Sequence, residues 1–245
     1  MTGTSKTTET SESTHAYPEG AHPTNAHPST FRNFIFDLDG TILDTLPDLV
    51  LLTNSILSEL GCPERSEPEI LSYVGNGVRR LMYQALPEDA SEEVCDRAME
   101  LWNDRFYDYY DHTHPYPGIK EMLDALKEKE CPLGVVSNKL QSGVDLIIYK
   151  CLPDYFAVML GESPICPRKP DPTGLNLAMQ VMGAAPIDTA YVGDSPSDIV
   201  AAHNAGLLGI AVLWGYHKKE DFPTEGDGKP DMFIEKPEDL LELVS

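Results

Sequence analysis

Basic residues are scarce in this sequence. It carries 18 Lys and Arg against 40 Asp and Glu in 245 residues, a formal net charge of −22. Nucleic acid is bound through counterion-releasing Lys and Arg, so this balance argues against a nucleic-acid partner. It argues equally against docking on an anionic membrane. No run approaches the roughly 20 apolar residues of a membrane span. The first 20 residues have no apolar stretch of the kind a secretory signal needs. The five cysteines (Cys62, Cys95, Cys131, Cys151 and Cys166) are odd in number, widely spaced and without a Cys-x-x-Cys pair. Reduced thiols in a cytoplasmic protein are expected. No fixed-period repeat is present. What remains is ordinary globular composition, 41% hydrophobic and 24% charged, with length for one large domain or two modest ones. A small anionic substrate stays open, because a metal ion or one lysine reverses the sign of a site locally.

Residues 1–30 stand apart. Half of them are Thr, Ser or Pro, a composition that buries too little to offset its ordering entropy, so a disordered tail is expected. His15, His22 and His27 lie in it, as a metal-binding tract or simply as part of a solvated tail. From Phe31 onward, short apolar runs alternate with helical patterns. FRNFIFDLD, CPLGVVSN (131–138), DYFAVMLG (154–161), DTAYVGDS (188–195), LGIAVLWG (208–215) and the weaker DMFIE (231–235) read as strands. Ile119, Met122, Leu123 and Leu126 follow helical spacing. Pro172 opens another helix and Gly183 closes it. This alternation predicts an α/β fold, a Rossmann-like parallel sheet covered on both faces.

Between 46 and 115 the pattern is helical throughout. Thr45-x-x-Asp48 and Ser66-x-x-Glu69 have the spacing of capping boxes, and Gly61 ends the first helix. Val78, Leu81, Met82 and Ala85 mark one apolar stripe; Ala98, Leu101, Trp102 and Phe106 mark another. The expected organisation is therefore an α/β core of residues 31–45 and 116–245, interrupted by a helical cap at 46–115. His112–Gly118 reads as the return linker, with His112 and His114 either solvated or placed to bind metal.

Ligands of parallel sheets bind outside the carboxyl ends of the strands, so the polar residues there are informative. The first strand ends Asp37-Leu38-Asp39-Gly40-Thr41, and the fourth ends Gly193-Asp194-Ser195-Pro196-Ser197-Asp198. Asp-Gly is also a common turn pair, and Asp198 by itself also suits a helix start. Four carboxylates on one sheet edge would repel one another without a cation, and hard oxygen ligands suit Mg²⁺. Ser137 and Asn138 end the second strand as neutral donors or as helix caps. Arg168-Lys169-Pro170-Asp171-Pro172 places Lys169 between the third strand and its helix, where flanking prolines stiffen the backbone and aim the side chain. Acids, a metal, a lysine and neutral donors together suit phosphoryl transfer.

These motifs resemble those of the haloacid dehalogenase superfamily. The ordered set is Phe36-Asp37-Leu38-Asp39-Gly40-Thr41, Ser137-Asn138, Lys169-Pro170 and Gly193-Asp194-Ser195-x-x-Asp198, and the match spans 31–245. The resemblance implies a phosphohydrolase with Asp37 as nucleophile and Asp39 as acid and base. It implies Mg²⁺ held by the Asp37 carboxylate, the Asp39 carbonyl and Asp194, with Asp198 as ligand or support. Ser137, Asn138 and Thr41 would hold the phosphoryl oxygens, and Lys169 would offset their charge. Asp44 would orient the first cap helix. Within the superfamily the chain is most similar to phosphoglycolate phosphatases. Gly75, Asn76, Gly77 and Arg79 in Tyr73–Leu81 look like their substrate-facing loop, Tyr116–Gly118 and Pro132–Lys139 also fit, and Arg79 or Arg80 either meets a carboxylate or is solvated. The implied partner is a small phosphorylated metabolite, acted on by a monomer or homodimer.

Four other readings of the same residues compete with this one. A β-phosphoglucomutase-like phosphotransferase is disfavoured by Thr41 and the cap loop. A dehalogenase needs no Mg²⁺ site and lacks the second aspartate. A phosphonatase uses a cap lysine, and residues 46–115 contain none. A non-catalytic binding protein on the same fold would typically have lost one of the acids, and none is missing here.

Overall fold

A computed structural model of the chain describes residues 30–75 and 77–244. The expected tail, with its three histidines, and Asn76 lie outside the described residues, apart from Thr30.

Six parallel strands form the main sheet: β1 (Asn33–Phe36), β4 (Leu133–Leu140), β5 (Val158–Glu162), β6 (Thr189–Gly193), β7 (Leu208–Val212) and β8 (Met232–Ile234). Their order is β5-β4-β1-β6-β7-β8. All four residues of β1 are buried, as a strand flanked and covered on every side requires. Its neighbours are β4 on one side and β6 on the other. The connections thus run outward in opposite directions from β1. That reversal opens a crevice at the carboxyl ends of β1, β4 and β6. The six expected strands all occur, and β4 continues two residues beyond Asn138, with a register shift against β5 after Val136.

The helices that cover the sheet are α5 (Ile119–Glu128), α6 (Gln141–Cys151), α7 (Thr173–Met182) and α8 (Pro196–Asn204). The predicted stripe of α5 is buried in full. Pro172 sits at the cap position rather than inside α7, and Gly183 closes that helix in the left-handed region at φ 64°.

Between the two halves of the α/β unit, a short ribbon pairs β2 (Leu43–Asp44) antiparallel with β3 (His114–Pro115). Part of the expected return linker is therefore strand. Four helices lie between these strands: α1 (Leu46–Glu59), α2 (Glu67–Tyr73), α3 (Val78–Ala85) and α4 (Glu92–Arg105). Their apolar faces, including Leu52, Ile56, Ile70, Leu81, Met82, Ala98, Leu101 and Trp102, bury against one another.

The Thr45-x-x-Asp48 spacing does not make a capping box. Thr45 gives its hydroxyl to Asp39 Oδ1 at 2.7 Å. The Asp48 carboxylate accepts from the His112 and Thr113 amides at 3.0 and 2.7 Å and from the Thr113 hydroxyl at 2.8 Å. Asp48 thus ties α1 to the returning chain, a tertiary demand that outweighs the local cap. His112 Nδ1 lies 3.0 Å from the same carboxylate. Asp44 Oδ1 accepts from the Leu46 amide at 3.2 Å and so orients the start of α1. At Ser66 the pattern holds in part, with Glu69 accepting from the Ser66 amide at 2.8 Å.

Candidate active site

A cleft of about 480 Å³ lies at the crevice between the sheet edge and the inserted helices. Asp37 follows β1 directly, its backbone amide bonded to Val192 O of β6 at 2.9 Å. Lys169 reaches in from the segment between β5 and α7. Its ammonium lies 2.7 Å from Asp37 Oδ1 and 2.6 Å from Asp198 Oδ1, and it donates to the Tyr191 hydroxyl at 2.9 Å. Tyr191 in turn donates to Val136 O at 2.8 Å. The lysine side chain is 3% exposed, which leaves it no solvent partner to exchange with. Burial alone would push its pKa down; Asp198 and Asp37 reverse this and hold it above the usual range. Burial pushes the Asp37 carboxyl up to about 7, with Lys169 opposing and Asp198 and Asp194 adding to the rise. Asp194 is also raised, first by burial, against a lowering contact from His217.

Asp37, Asp194 and Asp198 each offer a carboxylate oxygen within 4.8 Å of the others. Three buried acids against one lysine leave an excess of negative charge that burial makes costly. The donor set fits a hard divalent cation. The three differ in what they have left to give. Asp198 Oδ1 is taken by Lys169 and Tyr191, and its Oδ2 by the Ser195 amide and hydroxyl at 2.9 and 2.7 Å. Asp194 Oδ2 accepts from the Tyr216 amide at 2.8 Å, while its Oδ1 has only Thr41 Oγ1 at 3.5 Å. Asp37 and Asp194 therefore retain coordinating capacity, and Asp198 braces Lys169 and the start of α8. Gly40, at φ 83°, lets the chain pass beside this group; a Cβ there would collide with the Asp194 carboxylate and Tyr216.

Of the remaining expected residues, Asp39, Ser137, Asn138, Gly75 and Gly77 line the cleft. Asn138 is already engaged: its Oδ1 accepts from the Lys169 amide at 2.7 Å and its Nδ2 donates to Gly75 O at 3.0 Å. Thr41 is fully buried with its hydroxyl toward Asp194, outside the lining. Arg79 is not brought to the cleft. It is exposed, donates to the Tyr83 hydroxyl at 3.1 Å and lies 3.9 Å from Asp96. The guanidinium at the loop is Arg168, stacked where a Cβ on Gly77 would fall.

Two residues at the site were not singled out from the sequence. Lys139 Nζ lies 3.1 and 3.2 Å from the two Asp39 oxygens, its side chain 7% exposed. Ser137 and Lys139 are two apart on a strand and share a face, the signal that would have found it. Tyr216 accepts from the Thr45 amide at 2.9 Å and lies 3.1 Å from the Thr45 hydroxyl. Applying the strand-end rule to β7 would have reached it.

The family model for haloacid dehalogenase-like hydrolases matches residues 34–212. The chain belongs to this family. It is 35% identical over 218 residues to a phosphoglycolate phosphatase of Vibrio vulnificus, covering 85% of this chain and 94% of that protein. A phosphoglycolate phosphatase of Mannheimia succiniciproducens is also 35% identical, over 88% of this chain and 99% of its own length. The crystal structure of a predicted phosphoglycolate phosphatase from Haemophilus somnus superposes with a TM-score of 0.79 at 31% identity, covering 86% of this chain and 97% of that one. The family member described here is thus an enzyme of the haloacid dehalogenase type, similar to phosphoglycolate phosphatases. Among the described residues no helix is long and apolar enough to cross a membrane.

Proposed function

We propose that this enzyme is a Mg²⁺-dependent phosphate-monoester hydrolase that acts through an aspartyl-phosphate, on 2-phosphoglycolate or a similar small phosphorylated metabolite in the cytoplasm. The observation that carries the reading is Asp37 at the sheet's switch point, with Lys169 at 2.7 Å and the Asp194 carboxylate beside it.

In this reading Asp37 attacks phosphorus as the ester P–O bond breaks, and Asp39 gives a proton to the departing oxygen. Asp39 then takes a proton from a water that attacks the aspartyl-phosphate, which restores Asp37 and releases phosphate. Lys169 holds Asp37 in place and offsets charge on the transferring group. Ser137 lines the cleft, and its hydroxyl, which accepts from the Lys139 amide at 3.3 Å, keeps its own hydrogen to donate to a phosphoryl oxygen. Asn138 and Thr41 support it from behind, the first by fixing the Lys169 backbone and the second beside Asp194. The Asp37 and Asp194 carboxylates and the Asp39 carbonyl would hold the cation. A bound Mg²⁺ neutralises charge that develops on the phosphoryl oxygens. Residues 46–115 serve as a cap on the core of 31–45 and 116–245. Their Gly75–Gly77 loop, tied to Asn138, would cover the cleft and exclude water.

The test is phosphate release from 2-phosphoglycolate, sugar phosphates, nucleotides and pyrophosphate with Mg²⁺, using Asp37→Asn as the blank. The expected result is turnover that Asp37→Asn and EDTA both abolish, with the highest kcat/KM on 2-phosphoglycolate. Phosphate release by Asp37→Asn at the parent rate would overturn the nucleophile assignment. Equal activity on every ester would keep the reaction and discard the substrate.

A further inference from the structure

We propose that Lys139 is the specificity residue of this cleft. It would receive the carboxylate that 2-phosphoglycolate carries on the carbon next to its ester oxygen. This rests on the phosphatase reading above and adds the residue that selects among esters.

The cleft is strongly acidic: Asp37, Asp39, Asp194 and Asp221 all line it. A second anionic group on a substrate would meet repulsion unless a cation stood ready. Three residues of the lining can carry positive charge: Lys139, Lys169 and His217. Lys169 is held between Asp37 and Asp198, on the phosphoryl side. His217 faces Asp194 at 3.7 Å, on the same side. Lys139 alone stands apart from the buried acid cluster, paired only with Asp39.

Its placement also matches the chemistry. The Lys139 stem is lodged against Gly143 and Phe106; a Cβ on Gly143 would crowd both the stem and the ring. The stem is thereby steered and the ammonium is delivered to the Asp39 carboxylate at 3.1 Å. Asp39 is the residue that faces the departing ester oxygen. A carboxyl carbon in an α-phosphoryloxy acid lies two bonds of about 1.5 Å from that oxygen. The carboxylate and the ester oxygen are thus as close together as Lys139 and Asp39 are. When such a substrate enters, the ammonium exchanges Asp39 for the substrate carboxylate over a short distance. Asp39, still held at one oxygen by Thr45, is released from the ammonium and can carry at its other oxygen the proton that the departing ester oxygen takes. A longer acid would carry its carboxylate past this point, and a simple alkyl phosphate would leave the Lys139–Asp39 pair in place.

The experiment compares kcat/KM for 2-phosphoglycolate, 3-phosphooxypropionate and ethyl phosphate in the parent enzyme, Lys139→Gln and Lys139→Arg. The parent is expected to prefer 2-phosphoglycolate to ethyl phosphate by on the order of 10²-fold, the scale of a buried charge pair with its partner removed. Lys139→Gln should collapse that ratio to within several-fold, while Lys139→Arg, which keeps the charge, should retain most of it. Calorimetric binding of 2-phosphoglycolate to Asp37→Asn, with and without Lys139→Gln, should show the same loss without turnover. A parent that handles all three esters alike overturns the specificity proposal and leaves the phosphatase reading standing. Equal losses on all three esters in Lys139→Gln also overturn it, because Lys139 would then act on the chemistry common to them. Absence of turnover on any ester removes the phosphatase reading and this one with it.

Discussion

Raising the pH of the metal-free protein from 4 to 7 should remove the stability that a protonated Asp37 contributes. Burial lifts the Asp37 carboxyl from 3.8 to about 7, so the folded chain holds this proton where the unfolded chain has lost it. Stability falls with rising pH wherever the folded state binds more protons. The loss begins near pH 4 and is complete once pH passes about 7. Over that window the difference in proton affinity is worth about 4 kcal/mol. Asp194 is raised as well and acts in the same direction. A divalent cation should reverse the loss, because it replaces the proton as the neutralising charge. At a hundredfold excess over its Kd it contributes about 2.7 kcal/mol, which for a chain of this size is a Tm rise of about 5–10 °C. The rise should be smaller at pH 5.5, where the cation must first displace a proton. The assay is thermal melting at pH 5.5 and 8.0, in EDTA and in MgCl₂, for the parent and Asp37→Asn. His203 and His217, both raised by contacts with carboxylates, also favour the acidic side, so the difference between parent and variant is the diagnostic quantity. Parallel Tm–pH profiles for the two proteins in EDTA, or an equal Mg²⁺ effect at both pH values, would refute the reasoning.

Lys169→Met would leave the buried Asp37 and Asp198 carboxylates without their cation, costing about 3–5 kcal/mol in urea unfolding and abolishing phosphate release. Tyr216→Phe removes the hydroxyl that holds Thr45 but keeps the Tyr216 amide on Asp194. It should lower kcat about tenfold with little change in KM, a loss of about 1.4 kcal/mol on Asp39 placement. Gly40→Ala would combine a strained φ of 83° with a collision at Asp194; loss of Mg²⁺-dependent stabilisation in the melting assay is the expected sign.

The sheet was legible because apolar runs, helical stripes and punctuating Gly and Pro are properties of local chain. The acids and Lys169 were legible because they follow strands, where a parallel sheet collects its ligands. What was hidden depends on contacts across the sequence. The Thr45-x-x-Asp48 spacing is that of a cap, yet both side chains turn to partners far along the chain, Tyr216 and Thr113. Arg79 is a cation beside a glycine loop, but helix α3 turns it toward Tyr83 and Asp96 instead of the cleft. Arg168 occupies the position beside that loop from the opposite side. Periodicity assigns a residue to a face; it does not say which face of a small helix will meet the ligand. Lys139 closes the Pro132–Lys139 run but was given no role, because only the continuation of the strand past Asn138 puts it on the Ser137 face.

The arrangement of partners around Asn138 connects the two halves of the site. Its carboxamide oxygen fixes the backbone of Lys169, and its amide nitrogen holds Gly75 of the inserted helices. Both are backbone contacts, so they constrain chain position and not merely a rotamer. A shift of Gly75 away from the core would break the Asn138–Gly75 bond. It would free the carboxamide to turn, and with it the restraint on the Lys169 backbone. Lys169 lies 2.7 Å from Asp37, so its alignment with that carboxylate is coupled to the position of Gly75. In the proposed phosphatase reading, Lys169 is therefore best aligned with Asp37 while the Asn138–Gly75 bond is made. A single side chain of β4 thus links the Lys169 backbone to Gly75 of the inserted helices.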